Sequence, residues 1–236
     1  MSPAWRHLLR DLTNDFFLVR YDERGNGLSD WDAEDISFDA FVADLETVVD
    51  AAGLERFPLL GISQGCSVCV AYAIRHPERV SHLVLYGGYA RGVCRRDDAM
   101  AEESAAAVIT LMRQGWGREN PAFRQLWTTR FMPEATQEQA KWFNDLQRIT
   151  ASPDNAIRIR RVLDQIDVSS LLSRVAAPTL VLHCRNDDAV PFEEGRRLAA
   201  GIPGARFVAL DGRNHMILED EPAWPRFMAE VRSFLA

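Results

Sequence analysis

Long apolar runs are missing from this sequence of 236 residues. No stretch approaches the roughly 18 apolar residues that a bilayer span needs, so no membrane-spanning segment is expected. An excess of positive charge is missing too. Lys and Arg number 27 against 34 Asp and Glu, a net charge of −7. That balance argues against a nucleic-acid footprint and favours solubility. Cysteine is scarce, and the residues present, Cys66, Cys69, Cys94 and Cys184, lack the spacing of a secreted disulfide framework. A reducing cytoplasm is therefore the expected compartment. Cys66 and Cys69 do form a C-x-x-C, but a redox pair should open its own helix. Here both fall on the helix behind Ser63 and read as small buried residues. No secretory leader is expected, because Met1-Ser2-Pro3-Ala4-Trp5 already looks like folded structure. A chain this long buries roughly 70–75% of its unfolded surface. One large domain, or one domain with an insertion, then needs no metal or disulfide staple.

What is present is organised around Phe57–Cys66. The apolar run Leu59–Ile62 reads as a buried strand, and Ser67–Arg75 reads as a helix with Val68, Ala71, Tyr72 and Ala73 on its packing side. Between them, Gly61-Ile62-Ser63-Gln64-Gly65 is a G-x-S-x-G at a strand-to-helix turn. Such a turn is sharp and strained, so both flanking positions are expected to need no Cβ. The strain lifts the serine hydroxyl clear of the sheet. The helix that starts there aims free N–H groups at developing negative charge.

The remaining elements follow in order. Ser2-Pro3 opens a helix to about Leu12, and Phe16–Tyr21 reads as a strand ending in the glycine-marked turn Asp22–Ser29, where Asp22 and Arg24 are expected to pair. Phe38–Ala52 is a helix stopped by Gly53. Val80–Tyr86 is a third buried strand after the helix ended by His76-Pro77. Strand–helix alternation of this kind implies a parallel sheet. Between Tyr89 and Val175 no strand-like run occurs, and the segment is helical and rich in Trp and Phe. Most of these aromatics are expected to pack the segment's own core. As a unit it reads as a lid over the sheet edge, some aromatics lining an apolar pocket. Strands return at Thr179–His183 and Arg206–Leu210, with helices over Phe192–Ala200 and Pro222–Leu235. The expected fold is thus α/β: a mostly parallel sheet of about five strands flanked by helices. Residues 1–88 and 175–236 form the core and 89–174 the helical lid.

A serine hydroxyl is a poor nucleophile without a base to take its proton and a third group to hold that base. The loops after the later strands supply candidates, Asp187 after His183 and His215 after Leu210. In a parallel sheet these loops open at the same edge as Ser63. The order Ser, Asp, His is that of α/β-hydrolases. His7, His76, His82 and His183 read as structural.

Here the sequence resembles the α/β-hydrolase superfamily over nearly its whole length. The matching residues are Tyr21-Asp22-Glu23-Arg24-Gly25-Asn26-Gly27-Leu28-Ser29, Gly61–Gly65, His76-Pro77-Glu78-Arg79-Val80, Asp187-Asp188-Ala189-Val190-Pro191 and Gly212-Arg213-Asn214-His215. It looks most like a bacterial subgroup of small hydrolases also found fused to regulatory proteins such as transcription factors and cyclases. In the family the acid lies four residues before the proline of a V-P pair, which is Asp187, with Asp188 as the fallback. The resemblance implies a serine esterase working through an acyl-enzyme. Ser63 attacks, His215 moves the proton, Asp187 orients His215, and the Gln64 N–H holds the oxyanion. It implies no metal or organic cofactor and a small-molecule ester as partner, with short-chain esters expected because the insertion is compact. Thioester, lactone and C–C bond hydrolysis use the same machinery. A non-catalytic ligand-binding module is the alternative.

The departure lies at the N-terminus. In the family, further strands precede the first helix seen here, and the loop after the last of them gives a second oxyanion-hole N–H. That donor is expected to be missing, along with the strand between Phe16–Tyr21 and Leu59–Ile62. Direct pairing of these two segments is the expected way to close the gap, and a homodimer the other. Direct pairing would draw the Gly25–Gly27 turn toward Ser63 as a replacement donor.

Overall fold

The computed structural model describes residues 2–236. Strands β1 (Phe57–Ile62), β2 (Val80–Tyr86), β3 (Thr179–Cys184) and β4 (Arg206–Leu210) lie side by side in chain order, all parallel. Helices α1 (Arg6–Asp15), α2 (Phe38–Ala51) and α3 (Gly65–Arg75) precede β2. Helices α4 (Ala101–Gly115), α5 (Ala122–Phe131), α6 (Gln137–Thr150) and α7 (Pro153–Gln165) separate β2 from β3, and α8 (Phe192–Gly201) and α9 (Ala223–Leu235) complete the chain. Among the described residues, no helix is long and apolar enough to cross a membrane.

Side chains alternate across the sheet as the period of two demands. Leu83, Leu85 and Val181 join Phe41, Val42, Tyr72 and Leu198 in one core on the α2, α3 and α8 face. Val84, Tyr86, Leu180 and Leu182 join Leu8, Leu12, Phe227 and Val231 in a second, on the α1 and α9 face. β3 is buried along its whole length, as expected of a parallel strand covered on both sides. Pro58, which has no N–H to give a ladder, lies in the edge strand β1.

The helical insertion has its own small core of Met112, Trp127, Ala151, Ala156 and Ile157. Its helix starts carry the signals read from the sequence. Thr136 and Gln139 form a capping box, and Ser152 caps α7 with Pro153 inside the first turn. Its two ends run antiparallel as a neck, with Gly92 N–H donating to Ile166 O at 2.7 Å and Val168 N–H to Ala90 O at 2.9 Å. Glu194 on α8 closes the neck from below, its Oε2 accepting from the N–H groups of Ala90 and Arg91 at 3.2 and 3.1 Å.

One expected strand does not form. Among the described residues Phe16–Tyr21 joins no strand ladder, so the sheet has four strands instead of five, and the direct pairing with β1 is not made. The segment keeps a strand's alternation: Phe16 and Leu18 pack on the α1–α9 core, while Phe17 is 88% exposed. The pattern records which side each residue faces, but no strand lies close enough to complete a ladder. The adjoining turn also differs. Arg24 pairs bidentately with Asp44 on α2 at 2.8 and 2.6 Å instead of with Asp22, whose carboxylate accepts the Leu28 N–H at 3.0 Å.

Candidate active site

The site begins with the turn between β1 and α3. Ser63 has φ of 55°, the only positive φ at a non-glycine among the described residues. A left-handed backbone at serine is strained and marks a position the surroundings over-determine. Gly61 is required there, since a Cβ would lie 2.8 Å from Cys66 Cα. Gly65 is not required for space, because nothing lies within 4 Å of a Cβ built on it. The expectation that both glycines serve close packing therefore holds only for the first. Cys66 and Cys69 are buried, and burial pushes the Cys66 thiol well up and the Cys69 thiol up to about 12. Neither carries the thiolate that redox chemistry needs.

The acid and the base come from the loops after β3 and β4. His215 Nδ1 and Asp187 Oδ2 are 2.6 Å apart, with both side chains almost wholly buried. The other carboxylate oxygen of Asp187 accepts the N–H groups of Ala189 and Val190 at 2.8 and 2.9 Å, which fixes the acid in its loop. Asp188, the fallback, is exposed and lies 3.5 Å from Arg213. His215 Nε2 is buried without a hydrogen-bond partner. His183 braces the same loop, its Nε2 lying 3.0 Å from Val190 O and 3.5 Å from Asp187 Oδ2. Burial holds its pKa down.

Ser63 and His215 meet the end of β2 from two sides. The Ser63 N–H donates to Tyr86 O at 2.9 Å, and the Tyr86 hydroxyl donates to His215 O at 2.8 Å. At Gly87 a Cβ would stand 3.1 Å from His215 Cε1. The Ser63 hydroxyl, half-buried, makes no hydrogen bond to His215 here. The Gln64 N–H has no backbone acceptor. The Gly25–Gly27 turn does not stand in as a second donor, because Gly25 N–H is given to Asp30 O and Gly27 N–H to Thr150 O. That turn docks on the insertion, where Asn155 donates to Gly25 O at 3.1 Å.

Two features of the site have no local sequence signal. Phe131, at the end of α5, lies edge-on to the His215 ring at 5.2 Å, and its carbonyl accepts the N–H groups of His215 and Met216. Glu23 lies against Gln64, and burial together with the nearby Asp44 charge pushes its pKa up to about 7.

The sequence matches the family described as alpha/beta hydrolase fold over residues 1–222. The chain belongs to that family. Among alpha/beta hydrolases it is similar to a pyrrolizixenacetamide deacetylase of Xenorhabdus hominickii, 28% identical over 98% of this chain and 85% of the relative. It is similar also to a protein of Rhizobium rhizogenes named as a carbamate hydrolase, RutD, 26% identical over 98% and 87%. An esterase from Exiguobacterium antarcticum superposes with a TM-score of 0.80 at 25% identity, covering 91% of this chain and 79% of that one. These relatives support hydrolytic chemistry for this alpha/beta hydrolase.

Proposed function

We propose that this hydrolase cleaves small carboxylic esters through an acyl-enzyme. The observation that carries the reading is the short His215–Asp187 contact, 2.6 Å, with His215 Nε2 left without a partner. Asp187 holds the imidazole so that Nδ1 carries the proton and Nε2 is free to accept one. Ser63 Oγ attacks the ester carbonyl carbon while Nε2 takes its proton. The tetrahedral oxyanion is held by the Gln64 N–H. Collapse breaks the C–O bond, and the imidazolium gives its proton to the departing alcohol. Water then attacks the acyl-enzyme by the same route and releases the acid and Ser63. The missing Ser63–His215 hydrogen bond is compatible with this, since catalytic hydrogen bonds commonly form only with substrate bound. In this reading the helical insertion is a lid over Ser63. The deacetylase and carbamate names among the relatives keep amides and carbamates as the nearest competing substrates.

The unformed Ser63–His215 bond favours one second reading, a non-catalytic ligand-binding module. A fluorophosphonate probe separates the two. It should label the protein covalently, with labelling and turnover of p-nitrophenyl esters both lost in Ser63→Ala. An unlabelled, correctly folded protein would establish the non-catalytic reading.

A further inference from the structure

Three arginines of the insertion gather where it faces the catalytic groups. Arg130, on α5, precedes the phenylalanine that packs on His215, and its Nη2 donates to Asp188 O at 3.3 Å. Its guanidinium lies 5.9 Å from the Trp127 ring centre, and that of Arg160 on α7 lies 5.2 Å from the same ring. Arg96 lies 5.8 Å from the ring centre of Tyr89. Tyr89 is tied to the nucleophile helix, because Ser67 Oγ donates to its carbonyl at 2.7 Å. Its phenol also feels the charges of Arg160, Asp164, Arg96 and Glu23. The arginines therefore lie between the Asp188–His215 side of the site and Tyr89, whose carbonyl is tied to the nucleophile helix.

Two of the three make no direct ion pair, although Glu194 and Asp164 attract Arg96 and Asp187 and Asp188 attract Arg130 from further off. Arg160 is paired with Asp164 at 2.7 Å. Arg96 and Arg130 are half-buried, and neither has a carboxylate within 4.0 Å among the described residues. Arg96 spends one donor on Arg91 O and Arg130 one on Asp188 O, of the five N–H groups each guanidinium carries. Burial pushes both below the usual arginine range, Arg160 repelling each while Glu194 on Arg96 and Asp188 on Arg130 pull the other way. Holding like charges together away from water is costly unless something pairs with them.

We infer that Arg96 and Arg130, backed by Arg160, form a subsite on the His215 side of the site that binds a carboxylate on the substrate. The inference rests on the hydrolase reading and narrows it to acyl compounds whose far end carries a carboxylate. Guanidinium forks match a planar carboxylate bidentately.

The test uses the full chain carrying Ser63→Ala and measures calorimetric binding of monomethyl glutarate against dimethyl glutarate. The monoanion should bind about tenfold or more tightly than the neutral diester. That preference should shrink to about threefold or less in 0.5 M NaCl and in Arg96→Gln or Arg130→Gln, and persist in the exposed control Arg148→Gln. Equal binding of the two ligands, binding of neither, or a preference untouched by both cleft substitutions would overturn the inference. Unfolding of one variant leaves the other and the salt series decisive. Because Ser63→Ala requires no turnover, failure of the hydrolase reading shows separately, as absent hydrolysis of either ester by the wild-type chain.

Discussion

At His215 two tasks fall to two ring nitrogens. Nδ1 is committed to Asp187, and Nε2 is held dry and open. The choice between neighbouring acids follows from burial. Asp187 is closed in and holds two backbone N–H groups, whereas Asp188 is exposed and its carboxylate meets only Arg213. Asp187→Asn should lower kcat for p-nitrophenyl acetate by about 10³–10⁴, by setting the wrong tautomer. Asp188→Ala, which removes a weak surface pair, should stay within about threefold of wild type. Equal losses would mean that the acid is misassigned. Glu23 carries a different expectation. Its pKa rises from 4.5 unfolded to about 7 folded, so the folded state binds its proton more tightly. That contribution is fully present below pH 4.5 and is lost as pH climbs through 7. Glu23→Gln should therefore melt close to wild type at pH 4.5 and above it at pH 8. Thermal scans showing the same difference at both pH values would contradict the assignment. The strained turn at Ser63 and the Asp187–His215 contact were legible as single letters in the loops after the strands. Glu23 was not, because its neighbours Gln64 and Asp44 come from two other segments.

Among the elements, helices and buried strands were read well because each carries its own signal. The capping box at Thr136 and the Ser152-Pro153 start are examples. Phe16–Tyr21 shows where such reading stops. Alternation fixes the face of a side chain, but a ladder needs a neighbour, and no residue within the segment reports one. Arg24 fails for the same reason, finding Asp44 on α2 and not the Asp22 beside it in sequence. The neck of the insertion depends equally on distant contacts. Glu194 satisfies two N–H groups there. Glu194→Ala would orphan both, at about 1–3 kcal/mol each. A fall in melting temperature of roughly 4–24 °C is expected, at about 2–4 °C per kcal/mol for a chain of this size. A fall below about 2 °C would show that the neck is held by other contacts.

The whole molecule carries a net charge of −7, opposite in effect to the arginines of its cleft. Screening over about 8 Å at physiological salt confines the global repulsion to the approach. Contacts inside the cleft are left to the local guanidinium groups. The two cores, one on each face of the sheet, bring the loops after β1, β3 and β4 to one edge. The insertion meets that edge from above, and its attachment has a mechanical meaning. The carbonyl of Phe131 accepts from both His215 and Met216 at 2.9 and 3.2 Å. Any outward swing of α5 that uncovered the cleft would break those bonds and unseat the histidine in the same movement. Under the proposed lid reading, uncovering Ser63 and keeping His215 seated would be competing demands on one pair of hydrogen bonds.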